Sequence, residues 1–100
     1  MTEMIWLYDP GERGQSAEAW AIYRELFTRG TKAAYIDLND ISWNGDEQLT
    51  RRSFAALWRV YEAAGARHLV VFGGAADGSI ARAYADLVPG AELTVRRGGR

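Results

Sequence analysis

The stretch "MIWLYDPGERGQSAEAWAIYRELFTRGTKAAYIDLND", Met4 to Asp40, decides the fold. It opens on a short apolar run, "MIWLY", that stops at a turn signal, as a buried strand does. From Ser16 the spacing turns helical: Trp20, Tyr23, Leu26 and Phe27 recur at i, i+3, i+6 and i+7, and Gly30 supplies the stop. "KAAYIDLND" then reads as a second strand, followed by a loop, "DISWNGDEQ". Beyond it a long helix carries Phe54, Leu57, Trp58, Tyr61 and Ala64 on one stripe and closes at Gly65. "HLVVFGG" is a third strand, and "DGSIARAYADLVPG" a third helix with Ile80, Tyr84 and Leu87 on one face, ending at Pro89-Gly90. "AELTVR" is a fourth strand. Strands and helices in strict alternation predict an α/β domain with a parallel sheet and helices on both faces.

The first three strands are apolar nearly throughout, as strands covered on both sides are. The fourth alternates, with Ala91, Leu93 and Val95 facing one way and Glu92, Thr94 and Arg96 the other. That pattern marks an edge strand with one wet face, or one whose second cover is missing. "RRGGR" reads as a frayed tail. No linker or repeat divides the chain, so residues 1–100 form a single domain.

Composition narrows the functions. The chain of 100 residues is 48% apolar, enough for one compact core. A net charge of −1 argues against a partner held by electrostatics, whether nucleic acid or membrane. With no cysteine there is no disulfide and no thiolate metal site, and the lone His68 gathers no other ligands. No apolar run spans a bilayer, and the N-terminus lacks the pattern of a signal peptide. The expectation is a cytoplasmic protein.

The turn after the first strand nearly spells a phosphate-binding loop, G-x-x-x-x-G-K-[ST]. Gly14 and Ser16 fall in place, but Asp9 stands where the first glycine belongs and Gln15 replaces the lysine. Such a loop works because glycines let backbone amides converge on an anion at a helix N-terminus. Here Asp9 and Glu12 add two carboxylates, and Arg13 offsets only part of them. One carboxylate–phosphate contact at ~4 Å costs roughly 1 kcal/mol in water and about 4 kcal/mol in a partly screened site. Losing the lysine removes a charge-assisted contact of about 1.5–3 kcal/mol. The loop also has a sufficient structural reading: Asp9-Pro10-Gly11 suits a type II turn, and Ser16 suits a helix cap.

The whole chain resembles the N-terminal half of a small P-loop kinase, closest in type to actinobacterial kinase-like ATPases of the adenylylsulfate-kinase and chloramphenicol-phosphotransferase kind. The residues that carry the resemblance are "IWLYDPGERGQSAEAWAIYRELFTRG", "AAYIDLND", "RRSFAALWRVYEAAGARHLVVFGG" and "LVPGAELTV". It implies a three-layer, four-stranded parallel sheet in the order 2-3-1-4, with the first helix on one face and the other two on the opposite face. By position it makes Asp37 the first acid of an acceptor-facing D-x-D pair, with Asn39 in the second place, and Arg52 the arginine of the following helix. The family's later strand, arginine-bearing lid and base-binding segment have no counterpart in these residues.

The remaining candidates have bland and functional readings side by side. Asp37 is a general base for a substrate hydroxyl, with Asp40 beside it, or a strand-end carboxylate in a turn. Arg52 clamps a substrate anion, or joins Arg51 on a solvated face. "GGAADGS", with Gly73, Gly78 and Ser79, mimics a second phosphate loop but reads better as a turn in which Asp77 or Ser79 caps the third helix. Trp6, Trp20 and Trp58 are expected in the core, and His68 is expected to be structural. Trp43, alone in a polar loop, covers a substrate mouth or anchors a contact.

These readings lead to a catalytically inactive kinase-like domain without a cofactor, acting through association. The homo-oligomer is expected through the edge of the fourth strand or the face of the first helix, the strand edge preferred. The alternative is a phosphotransferase that uses ATP and Mg²⁺ with Gly14, Gln15 and Ser16 as a variant loop and Asp37, Arg52 and Trp43 toward the substrate. A third reading, nucleic-acid contact through Arg96, Arg97 and Arg100, lacks support from the charge balance.

Overall fold

The computed structural model describes residues 1–10, 17–74 and 78–98. In chain order its elements are β1 (Thr2–Tyr8), α1 (Ala17–Thr28), β2 (Ala33–Asp37), α2 (Leu38–Ile41), α3 (Glu47–Ala63), β3 (His68–Phe72), α4 (Gly78–Ala85) and β4 (Ala91–Arg97). The four strands form one parallel sheet in the order β2-β3-β1-β4. β1 is central, with Trp6 opposite Val71 on one side and Val95 on the other.

The pleat sorts alternate residues to opposite faces. Met4, Trp6, Ala34, Ile36, Leu69 and Val71 point to the face covered by Phe54 and Trp58 of α3 and Ala81, Tyr84 and Ala85 of α4. Leu7, Val70 and Phe72 point to the other, where Ala19 of α1 packs with Ile22, Tyr23 and Leu26 around it. One helix on one face and two long helical segments on the other is the arrangement that right-handed crossovers produce from this strand order.

Two helix stops fall where glycine was expected, and for a geometric reason, whereas α4 ends at Ala85, ahead of the expected Pro89-Gly90. Gly30 (φ 82) donates its amide to Phe27 O while Thr31 donates to Leu26 O; Gly65 (φ 107) and Ala66 repeat the pattern onto Glu62 and Tyr61. Both are Schellman ends, which need a left-handed residue after the helix. Tyr84 packs against rings of the sheet and of α3. Its ring lies 5.5 Å from that of Trp6 and 5.0 Å, edge-on, from that of Phe54. Its hydroxyl donates to Glu47 Oε2 at 2.7 Å, tying α4 to the first turn of α3.

Several expectations need correction. β2 ends at Asp37, and Leu38–Ile41 forms an additional helical turn, α2, where strand and loop had been expected. Asp37 caps that turn, which drew the chain out of the strand earlier than its apolar pattern suggests. Ser79 lies inside α4 and so is not its cap; Asp77 lies outside the described residues. Trp20 is not in the core but 46% exposed, because α1 buries the Ala19–Ile22–Leu26 side. β4 is an edge strand, with Ala91 and Leu93 half-buried and Glu92, Thr94 and Arg96 exposed; Val95, expected to face the same way as Leu93, is 38% exposed. Among the described residues no helix is long and apolar enough to cross a membrane.

Candidate functional site

In an open parallel sheet all strand C-termini share one edge, and ligands of such folds sit outside it. The described residues at that edge are Asp9 and Pro10 after β1, Asp37 and Asn39 around the end of β2, Gly73 and Gly74 after β3, and Gly98 after β4. Gly14, Gln15 and Ser16, with the rest of segment 11–16, lie outside the described residues; α1 begins at Ala17, immediately beyond them.

Asp9 is 7% exposed. Its amide donates to Gly74 O at 2.7 Å, the Gly73 amide to Leu7 O at 2.8 Å, and the Gly98 amide to Tyr8 O at 2.7 Å. The ladder therefore runs past the end of β1 on both sides, and the backbone groups just beyond the strand are engaged with neighbouring backbone. Asn39 reaches toward the same place: a Cβ on Gly74 would stand 3.7 Å from its Oδ1. Gly74 itself has φ +64, a conformation glycine adopts freely.

Asp37 acts as a cap. Its Oδ1 accepts from the Asn39 amide at 2.9 Å in the N-terminal turn of α2. Burial raises its carboxyl above the ordinary 3.8, the Asn39 amide pulls it partly back, and the neighbouring Asp40 charge raises it again. A folded-state carboxyl that holds its proton more tightly than the unfolded chain makes ionisation unfavourable to folding. This penalty is absent below pH 3.8 and full once the pH exceeds the raised value. Asp37→Asn keeps the capping oxygen and drops the charge, so at neutral pH it should be neutral to stabilising by up to about 0.5 kcal/mol. Urea titrations at pH 7 and pH 3.5 test this; a loss of stability at pH 7 would show that the carboxylate has a partner it needs.

Arg52 and His68 are not brought to this edge. Arg52 lies about 200° around α3 from the buried Thr50, at about 100° per residue, and so faces away from the sheet. It lines a surface groove with Leu49, Ser53, Ala55, Ala56 and Arg59, all of α3. Trp43, 65% exposed, opens a tight turn in which Asn44 and Gly45 have φ 52 and 73 and the Asp46 amide donates back to Trp43 O at 2.8 Å. That is the geometry of a type I′ turn, supplied by Asn-Gly. His68 Nε2 stands 3.2 Å from Glu3 Oε1 across the β1–β3 pair, in keeping with its structural reading. Among the described residues no group of three His, Asp or Glu side chains could hold a metal.

The feature that sequence reading missed lies elsewhere. Trp20, Tyr23 and Phe27 of α1 and Tyr35 of β2 form one aromatic cluster, with centroids 5.2 Å apart for Trp20–Tyr23, 5.5 Å for Trp20–Tyr35, 5.9 Å for Tyr23–Tyr35 and 6.3 Å for Tyr23–Phe27. Phe27 is 66% exposed. The available signal was a second apolar stripe, Trp20–Tyr23–Phe27, beside Ala19–Ile22–Leu26. A helix lying on a sheet at its edge cannot bury both. Compared with protein-family models and with curated proteins, the chain matches none.

Proposed function

We propose that the chain is a non-catalytic relative of the small P-loop kinases whose work is association with protein rather than phosphoryl transfer. The observation that carries this reading is the end of β1. Where the phosphate loop needs its first glycine stands Asp9, a buried acid whose amide is already hydrogen-bonded to Gly74. A polyanion brought there meets a carboxylate at close range, the most costly neighbour it can have. The strand order β2-β3-β1-β4 is the one that the resemblance implies. Asp37, in the position of the acceptor-facing acid, is engaged in capping α2, which weighs against the phosphotransferase alternative.

Calorimetric titration with Mg-ATP and Mg-GTP at millimolar concentration should show no binding, and micromolar affinity or turnover of any acceptor would overturn the reading. The kinship has its own test. Asp9→Gly, Glu12→Gly and Gln15→Lys together restore the glycine and lysine chemistry, and the folded triple variant should gain measurable phosphate or nucleotide binding without turnover. A folded triple variant that binds no anion would remove the P-loop kinship.

A further inference from the structure

We propose that the Asn44–Gly45 turn is a site of spontaneous covalent modification in the folded protein. The Asn44 side chain closes on the Gly45 nitrogen, water reopens the ring as aspartate or isoaspartate, and the isoaspartate loosens the start of α3. The chemistry needs only this chain and water, and holds whatever the chain associates with.

The turn links α2 to α3. Asn44 and Gly45 are both exposed, with φ 52 and 73, and the bond that closes the turn runs from the Asp46 amide to Trp43 O at 2.8 Å. Asparagine is a chemically labile residue. Among the described residues neither the Asn44 carboxamide nor the Gly45 amide has a hydrogen-bond partner, so both reacting groups are free. Gly45 has no side chain to shield its nitrogen, and nothing stands within 4 Å of the place a Cβ would take there. The chain's other asparagine, Asn39, is held differently. It lies inside α2, its amide donates to Asp37 Oδ1, and the side chain of the following Asp40 crowds the nitrogen that would attack.

The atoms balance with water as the co-reactant. The Gly45 nitrogen gives its proton to solvent hydroxide and bonds to Asn44 Cγ. The bond from Cγ to Nδ2 breaks, and ammonia leaves with a proton taken from water. Water then adds to one of the two carbonyl carbons of the ring. Opening at Cγ gives ordinary aspartate, whereas opening at the main-chain carbon sends the backbone through Cβ and Cγ as isoaspartate. Ring closure requires Asn44 to rotate about its Cα–C bond, so the tight turn must first open. An exposed hydrogen bond slows this by roughly tenfold relative to the unfolded chain, whereas a route through global unfolding would slow it about a thousandfold or more.

The product reaches the core through α3. Asp46 caps that helix: its Oδ1 accepts from the Leu49 amide at 3.1 Å, and its carbonyl from the amide and hydroxyl of the buried Thr50 at 3.1 and 3.0 Å. Glu47, one residue on, accepts from Tyr84. Isoaspartate lengthens the turn by a methylene group, so the Asp46 amide loses its geometry toward Trp43 O and the cap is pulled out of place. The added negative charge is itself favourable at a helix start, so the lengthened main chain is what loosens α3.

The chain is held in mildly alkaline buffer beside a sample unfolded in urea, and both are digested and mapped by mass spectrometry. In the folded sample the peptide containing Asn44 should gain the mass of NH exchanged for O and split into aspartyl and isoaspartyl forms, within about a hundredfold of the unfolded rate. Asn39 should stay unchanged there. Asn44→Gly keeps a residue that accepts positive φ and should abolish the gain. Slowing beyond about a hundredfold, which would route the reaction through global unfolding, overturns the proposal, as does a gain at Asn39 equal to that at Asn44. The urea midpoint of the isoaspartyl form, isolated by chromatography, should fall below that of Asn44→Asp, which carries the charge on an unaltered main chain. Equal midpoints overturn the coupling to α3.

Discussion

Gly73→Ala is expected to cost about 3 kcal/mol or more, at the upper end of what overpacking a core does. A Cβ at Gly73 would overlap Cζ2 and Cε2 of Trp6 and come within 2.7 Å of Nε1. The indole cannot step aside, because Trp6 is fully buried and its ring packs against that of Tyr84. Nor can the backbone, since the Gly73 amide is bonded to Leu7 O and its neighbour Gly74 to the Asp9 amide. A domain of this size has about 5–15 kcal/mol of stability in all, so the loss is visible in any denaturant titration. The geometry also predicts a sign for the coupling. Trp6→Phe alone opens a gap and destabilises, yet Trp6→Phe combined with Gly73→Ala should be more stable than the sum of the two by at least about 1 kcal/mol. Simple additivity would mean that the two residues do not share that space.

Tyr84→Ala should be comparably damaging, about 3–5 kcal/mol, because it removes a ring enclosed by Trp6 and Phe54. Tyr84→Phe separates packing from polarity. It keeps the ring but takes away the hydrogen bond to Glu47, whose Oε2 also pairs with Arg51 Nε at 3.3 Å, and should cost about 1 kcal/mol. Burial, and then the Glu47 carboxylate beside it, hold the Tyr84 hydroxyl protonated well above the ordinary value of 10.0. An acid whose folded pKa is raised leaves stability untouched below its unfolded value and erodes it above, where only the unfolded chain gives up the proton. Stability should therefore decline more steeply above pH 10 in the native chain than in Tyr84→Phe, measured by urea titration. Parallel declines would place the hydroxyl outside that linkage.

Much of this fold was legible as alternation of period. Apolar runs and helical stripes located the four strands and three longer helices, and the glycines at 30 and 65 marked ends that need positive φ. The strand order came from the resemblance rather than from any pattern in the residues. What stayed hidden depends on which neighbour a residue meets. Trp20 and Leu26 are equally apolar on α1, and only the placement of the helix over β2 and β3 decides which is covered. Gly73 looked like part of a turn motif, whereas its role is to leave room for Trp6, two strands apart in sequence. At the candidate site, Asp37 was found but its role as a cap depended on α2, a turn too short to carry a periodic signature.

The central position of β1 bears on how the chain comes into being. Glu3 is made well before its partners in the ladder, His68 and Glu92. During synthesis β1 therefore waits as an unpaired apolar strand while α1, β2 and α3 are added, and its second flank closes only when β4 emerges. Such long-range pairing folds slowly and exposes a sticky intermediate, the kind that chaperones hold. Slowing translation should prolong this exposure rather than relieve it, because the strands that flank β1, β3 and β4, are both made after it.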